Sequence, residues 1–369
     1  MKTAVRQRPI VLVTSLLGGG GAERILVTMA DWWARHGSRV VVVVLRQDDD
    51  GAVGFPVHSD VEVIRLRLIS EHNAFWQPAH LTRLLRLRRT LMRLEPRVVI
   101  PFLDKLNVAI LLAVRGTGIR VVATEHLTPW HNPLGWAWES LRRQTYPVAR
   151  AIVSPTDRIT AWLRQRMRGQ FETLPSPAMN LSPADQNACR RKVICAAGRL
   201  APQKGFDRLL PVAARVLRRH PDWSLEIAGV GPDREHLQAR AGALGLGDRV
   251  RLLGAVVDLP SLMRSTEVFV LSSRHEAYPM VLCEALAAGC AVLATDCETG
   301  PREILGDPPA GRLMDDQDST QWEPLLEQVM IDAALRRKLQ QDAVRRAPAL
   351  QADQIMPGWD ERLQAWAPV

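Results

Sequence analysis

The feature that most restricts this 369-residue chain is a strand–helix rhythm that runs, breaks and starts again. Residues 10–15 form an apolar run ending in the glycines Gly18–Gly21, and residues 22–36 carry helix periodicity up to Gly37. A β-branched run over 39–45 reads as a strand covered on both faces. Weak alternation at 61–66, helix spacing over 81–94 and a strand at 97–102 continue the pattern. A helix over 107–114, closed by Gly116, and a strand at 120–124 follow. Such alternation predicts a parallel sheet wrapped by helices. Residues 169–192 are rich in Pro, Ser, Asn and Asp and have linker character. The rhythm then restarts, with strands at 193–197, 223–228, 250–253, 268–271 and 291–295. Helices at 206–220, 233–244, 259–265 and 279–288 alternate with them, and a helix-rich tail closes the chain. We therefore expect an α/β chain of two doubly wound parallel-sheet domains with a cleft between them. Ligands of such sheets bind outside the carboxyl ends of the strands.

No apolar run approaches the roughly 20 residues that span a bilayer. The first apolar stretch is short and runs straight into a glycine turn, as a buried first strand does and a signal peptide does not. The five cysteines, Cys189, Cys195, Cys283, Cys290 and Cys297, are odd in number and form no CxxC pair. Reduced buried thiols are the expectation, not a disulfide framework or a zinc site. Charge is unevenly placed. Residues 1–180 carry 25 Lys and Arg against 14 Asp and Glu, whereas residues 181–369 carry 23 against 25. A basic first half calls for an anionic partner, such as a membrane surface, a nucleic acid or a phosphorylated substrate.

The richest stretch is SRHEAYPMVLCEALAAG, residues 273–289. It sets Glu276 and Glu284 eight positions apart across a loop-to-helix junction, with Pro279 suited to the first helical position. A helix start offers free amides and a positive dipole end to phosphate. Carboxylates nearby make sense as acceptors for diol hydroxyls. Amides for a diphosphate plus carboxylates for hydroxyls describe a nucleotide-sugar pocket. The same spacing also fits an ordinary amphipathic helix with one solvated and one N-terminal glutamate.

GRLAPQKG, residues 198–205, follows the first strand of the second unit. Arg199 and Lys204 frame a turn there, and two fixed cations at a strand end can bind a diphosphate and neutralise a leaving group. A solvated basic turn is the plain alternative. GGGGAER, residues 18–24, lets backbone approach a phosphate or sugar closely, yet it is not GxGxxG and also suits a bare tight turn. In AGVGPDREHLQ, residues 228–238, Gly229 and Gly231 read as turn chemistry. TEHLTPWHNP, residues 124–133, puts Glu125 and His126 after a strand, where a histidine can act at a reacting centre or simply hold a loop. Two acidic spots, Asp48–Asp50 and Asp316–Asp318, read as solvated loops. In LTRLLRLRRTLMRL, residues 81–94, Leu81, Leu84, Leu85, Leu91 and Met92 make an apolar face opposite Arg83, Arg86, Arg89 and Arg93. That face is expected to cover the sheet and leave the arginines for anionic headgroups. Trp130, Trp136 and Trp138 lie near further arginines and fit either an interface or loop packing.

Together these motifs resemble the "glycosyl transferases group 1" family of retaining GT-B glycosyltransferases, over nearly the whole chain. Glu276 and Glu284 look like that family's E-x7-E pair, with Ala277 where the family usually has Gly. The resemblance implies two facing Rossmann-like domains: 1–178 for the acceptor, 179–345 for the nucleotide sugar, and 346–369 as a helix crossing back to the first. It implies that Arg199 and Lys204 hold the donor diphosphate and stabilise it as leaving group. Glu284 would bind the ribose, and Glu276 the donor sugar. Backbone amides at Tyr278, Met280 and Val281 would touch phosphate and sugar. Gly19 and Gly20 would approach the diphosphate, and His126 would lie beside the reacting carbon. No metal, no cofactor and no nucleic acid partner are expected. The GGGGAER start and the TEH stretch look like the branch that builds bacterial surface polysaccharides and lipid-linked oligosaccharides. That branch implies a polyprenyl-diphosphate-linked acceptor at the inner face of the cytoplasmic membrane, with a UDP-sugar as favoured donor and GDP-mannose as the alternative. The rivals are a sugar-nucleotide epimerase or phosphorylase on the same architecture, and a non-enzymatic protein that binds anionic surfaces through its basic half.

Overall fold

The computed structural model describes residues 7–46, 54–69, 79–182, 184–185 and 189–368; the acidic spot Asp48–Asp50 lies outside them. The chain divides into two compact units, Met1–Pro177 with Ala352–Val369, and Ala178–Gln351.

Unit one alternates β1 (Ile10–Thr14), α1 (Gly21–Arg35), β2 (Val40–Arg46), β3 (Glu62–Ile69), α2 (Ala79–Leu94), β4 (Val98–Pro101) and α3 (Asp104–Ala113). It continues through β5 (Val122–Thr124), α4 (Trp136–Thr145), β6 (Ala151–Ser154), α5 (Asp157–Arg166) and β7 (Phe171–Thr173). The strands pair in the orders β3-β2-β1-β4 and β5-β6-β7. Parallel bridges Val99–Val121 and Phe102–Thr124 join the two sets. The valines of β2 are all buried, as expected of a parallel strand covered on both faces. Each such side chain contributes roughly 1.5–3 kcal/mol.

Unit two runs β8 (Arg191–Ala197), α6 (Phe206–Arg219), β9 (Ser224–Ala228), α7 (Arg234–Ala243), β10 (Val250–Gly254), α8 (Leu259–Arg264) and β11 (Thr266–Leu271). Then come α9 (Met280–Ala287), β12 (Ala291–Thr295), α10 (Pro301–Leu305), β13 (Arg312–Met314), α11 (Trp322–Ile331) and α12 (Ala333–Arg346). Its six strands form one sheet ordered β10-β9-β8-β11-β12-β13, with every pair parallel. The order reverses at β8, so the loops after β8 and β11 leave neighbouring strands at the point where such sheets take ligands. Four of the five cysteines are buried in this unit, and all are free thiols.

The last helix, α13 (Ala352–Trp366), belongs to unit one. Its Trp359 Nε1 donates to Pro175 O at 3.1 Å, and Trp32 Nε1 of α1 donates to Asp353 at 3.1 Å.

Three expectations need correction. The segment 169–192 is not all linker, since its first part forms β7 and its last residues open β8. Pro279 sits at the N-cap of α9 in an extended conformation, one position before the first helical residue. The apolar face of α2 is the third. Leu87 and Leu91 are the buried side chains, while Leu81, Leu85 and Met92 are 66%, 41% and 50% exposed beside Arg86, Arg89 and Arg93. The 84–87–91–94 series keeps strict helix spacing against the sheet, and that rotates the other leucines outward. Arg88 is held at the helix layer by its donation to Ala113 O and Arg115 O, at 2.9 and 2.7 Å.

Candidate active site

In unit two the loop after β8 contains one tight turn, Pro202–Lys204, closed by Gly205 at φ +64°. Only glycine suits this place, because a Cβ here would stand 2.0 Å from the Ser272 carbonyl oxygen. That close approach brings the turn against the loop that follows β11. Ser272 Oγ donates to Lys204 O at 2.8 Å, and the Arg274 amide donates to Gln203 O at 2.8 Å. Gln203 Nε2 donates to His275 O at 2.9 Å, and Arg208 Nη2 to Ser272 O at 3.0 Å. Arg274 also grips Asp207 with both guanidinium arms, each at 2.7 Å. This pairing holds the Asp207 carboxyl below its ordinary range.

The bolted loops bring two chemically opposite groups together. Lys204 Nζ lies 2.6 Å from Glu276 Oε1, which also accepts from Ser273 Oγ at 2.6 Å. Thr299 Oγ1 donates to the Glu276 carbonyl, and Thr295 Oγ1 donates to Ser273 O at 2.7 Å. An ammonium has three donors, so Lys204 can hold Glu276 and still serve an anion.

Beside this pair begins α9. Its N-cap Pro279 supplies no side-chain cap, so the first-turn amides of Met280 and Val281 have no partner within the helix. Gly300, at φ +94°, allows the chain to pass here. A Cβ on it would meet Pro279 Cδ at 2.7 Å and Ala277 O at 3.0 Å. Tyr278 is buried, and burial pushes its hydroxyl well above its ordinary range. Glu284 is also buried, within α9, with its side chain engaged inside the structure.

Arg199 is exposed two residues beyond the end of β8. Gly229 and Gly231 serve close backbone packing. A Cβ on Gly229 would lie 1.9 Å from Gly198 O, and one on Gly231 would lie 2.3 Å from Leu200 O. Asp318 accepts from the Thr320 amide at 3.0 Å and caps a turn, and Asp316 gives its carbonyl to Arg208. Asp207, Arg274, Gln203 and Ser273 were not singled out by sequence. Their neighbourhood exists only once two loops about 70 residues apart are laid side by side, as the Lys204–Glu276 separation of 72 positions shows.

In unit one, His126 follows β5. Its ring stacks on Phe102 with centroids 4.8 Å apart and planes 4° from parallel. Its Nε2 lies 3.0 Å from Thr124 Oγ1, and its buried Nδ1 has no hydrogen-bond partner. Burial pushes its pKa down to about 4, so the ring is neutral at physiological pH. Gly19 is exposed just before α1, and Gly20 is the N-cap. Glu23 folds back so closely that a Cβ on Gly20 would lie 2.2 Å from Glu23 Oε2. Burial raises the Glu23 carboxyl above its ordinary range. An internal carboxylate therefore lies against the glycine that the resemblance offers to phosphate.

Two family profiles match the chain in succession. "Glycosyl transferase 4-like domain" covers residues 20–175, and "Glycosyl transferases group 1" covers residues 182–346. Residues 182–346 are a group 1 glycosyltransferase domain, preceded by a glycosyltransferase 4-like domain. Among curated relatives of this chain is the exopolysaccharide phosphotransferase of Streptomyces coelicolor. It is 32% identical over 219 residues, covering 58% of this chain and 23% of that one. The amylovoran biosynthesis glycosyltransferase AmsD of Erwinia amylovora is 30% identical over 179 residues, covering 48% of this chain and 50% of that one. The matched stretches span half or less of the curated relatives' own length. Anabaena HepE, solved with UDP and glucose, superposes with a TM-score of 0.79 at 17% identity, covering 97% of this chain and all of that one. At that identity the likeness shows the shared fold, which is GT-B.

Proposed function

We propose that this chain is a retaining glycosyltransferase. It moves a hexose or N-acetylhexosamine from a nucleotide sugar, a UDP-sugar in preference, to a polyprenyl-diphosphate-linked saccharide in cell-surface polysaccharide synthesis. One observation carries the reading: the Lys204 ammonium is fixed 2.6 Å from the Glu276 carboxylate beside the uncapped start of α9. A cation and amides suit a diphosphate, and a carboxylate suits sugar hydroxyls. Lys204 and Arg199 then stabilise the departing diphosphate, which is the work a metal does in other transferases. Tyr278, Met280 and Val281 lend backbone, Glu284 binds ribose hydroxyls, and Gly19 and Gly20 approach the diphosphate once Glu23 moves aside. His126 is given its place at the reacting sugar on the family resemblance alone. The carbon–oxygen bond to the diphosphate breaks as the acceptor oxygen attacks the same face, and the acceptor proton passes to the departing phosphate oxygen. HepE, of the same fold, is solved with UDP, and AmsD is named for amylovoran synthesis; both support the donor and the polysaccharide context. GDP-mannose is the alternative donor.

The test is transfer of label from UDP-glucose, UDP-N-acetylglucosamine or GDP-mannose into an organic extract of bacterial membranes. We expect labelled lipid from one donor, with the sugar's anomeric configuration kept. Label released only as free sugar, or an inverted product, contradicts the reading.

The acceptor chemistry fits the surface of α2, where Leu81, Leu85 and Met92 stand exposed among arginines. Apolar side chains interleaved with cations suit an anionic lipid interface. No described helix is long and apolar enough to cross a membrane. Changing Arg83, Arg86, Arg89 and Arg93 to Ser lowers binding to phosphatidylglycerol vesicles by about 1 kcal/mol per charge removed near the surface. Vesicle flotation reads the loss, and unchanged binding removes the membrane claim for this helix.

A further inference from the structure

Behind His126 lies a set of buried polar side chains that the transfer reading does not use. Asn107, Thr124, Glu125, Arg142 and Tyr146 are all buried. Burying so many polar groups is costly unless they find partners; hydrogen bonds and an ion pair link these five, although Arg142 Nε has no hydrogen-bond partner among the described residues.

Asn107 clamps the end of β5 at both backbone groups. Its Nδ2 donates to Thr124 O at 2.9 Å, and its Oδ1 accepts from the Thr124 amide at 3.4 Å. Its second amide hydrogen goes to Tyr146 Oη at 3.2 Å. Tyr146 has one hydroxyl proton and donates it to Glu125 Oε1. Arg142 Nη2 stands 2.7 Å from the same Oε1, and its Nη1 lies 3.5 Å from Glu139. Glu125 sits between Thr124 and His126 in the chain, so the ion pair and the asparagine clamp anchor the two residues that precede His126.

Thr124 passes that order to the imidazole. Its hydroxyl donates to Pro101 O at 2.7 Å, which uses its only proton. Toward His126 Nε2, 3.0 Å away, Thr124 Oγ1 can then only accept. His126 must therefore carry its proton on Nε2, which leaves Nδ1 as a lone pair. Phe102 fixes the ring plane, and Nδ1 is buried with no partner among the described residues.

We infer that Asn107, Glu125, Arg142 and Tyr146 are positioning residues which, through Thr124, lock His126 in the Nε2–H tautomer and reserve Nδ1 as an acceptor for a substrate hydroxyl. The hydroxyl clause rests on the proposed role of His126 in transfer; the tautomer does not. A lone pair on Nδ1 takes a hydrogen bond from an alcohol and repels a carboxylate at the same place.

The experiment is nitrogen NMR of the full chain labelled at histidine, at pH 7, with His126 assigned by its loss in His126→Gln. The expected spectrum shows Nε2 protonated and Nδ1 bare. Thr124→Ser keeps the hydroxyl and should keep that signature. Thr124→Val and Tyr146→Phe should each move His126 towards a mixture of tautomers, while the wild-type thermal transition shows whether the fold survives. A protonated Nδ1 in the wild type, or an unmoved signature in a folded Thr124→Val protein, overturns the inference. Steady-state transfer supplies the second readout. Turnover should fall about tenfold or more in Thr124→Val, with donor KM little changed and recovery in Thr124→Ser. If the tautomer responds as expected while His126→Gln transfers at the wild-type rate, the positioning stands and the hydroxyl assignment is wrong.

Discussion

Replacing Lys204 with alanine lowers turnover about 10²–10³-fold, the loss expected when a preorganised group facing developing negative charge is removed. In the proposed reaction the departing diphosphate gains charge as the sugar leaves it, and the Lys204 ammonium is the group proposed to meet that charge. UDP binding weakens as well, by the roughly 1.5–3 kcal/mol of a hydrogen bond to a charged group. Glu276 then keeps Ser273 as its remaining side-chain partner among the described residues. Lys204→Arg keeps the charge but not the compact ammonium, and should recover only part of the rate. Single-turnover kinetics with saturating donor separates the two effects. Wild-type turnover in Lys204→Ala would end the leaving-group assignment.

A methyl group at Gly205 should be nearly as damaging, although it touches no substrate. At φ +64° an L-residue carries backbone strain of about 1 kcal/mol. The larger obstacle is the Ser272 carbonyl oxygen, 2.0 Å from where the Cβ would sit. Neither partner is a flexible side-chain end, so the 202–204 turn must draw away from the loop after β11. That motion breaks the Ser272–Lys204 and Arg274–Gln203 bonds and carries Lys204 off Glu276. A misplacement near 1 Å at such a site costs about 10²-fold in rate. Gly205→Ala should therefore lose transfer by that factor and unfold earlier than wild type. Retained activity with an unchanged melting transition would show that the two loops are not rigidly joined.

The strands of both sheets were largely legible in the sequence, because β-branched and apolar runs such as residues 40–45 leave few other options. The stretch 136–173 was not. It holds α4, β6, α5 and β7, whose strands have only three or four residues and whose helices are rich in Arg, Gln and Thr. Arg142 looks like a surface residue in sequence and is buried only because Glu125 and Tyr146 meet it. The face of α2 went astray for a related reason. Six leucines in one helix fit more than one stripe, and the sheet selects the stripe through Leu87 and Leu91. At the candidate site, Lys204 and Glu276 were each visible beside a turn or helix start, but their 2.6 Å contact was not. That contact depends on Gly205, Ser272 and the Asp207–Arg274 pair, which no spacing rule connects.

Unit two is proposed to hold a nucleoside diphosphate through the α9 start and Glu284. Calorimetric titration of UDP, GDP and ADP into metal-free protein, wild type and Glu284→Ala, reads that binding. UDP should bind in preference to the others, and at least tenfold more weakly to the variant. Binding of none of the three, or equal binding by wild type and Glu284→Ala, would contradict it.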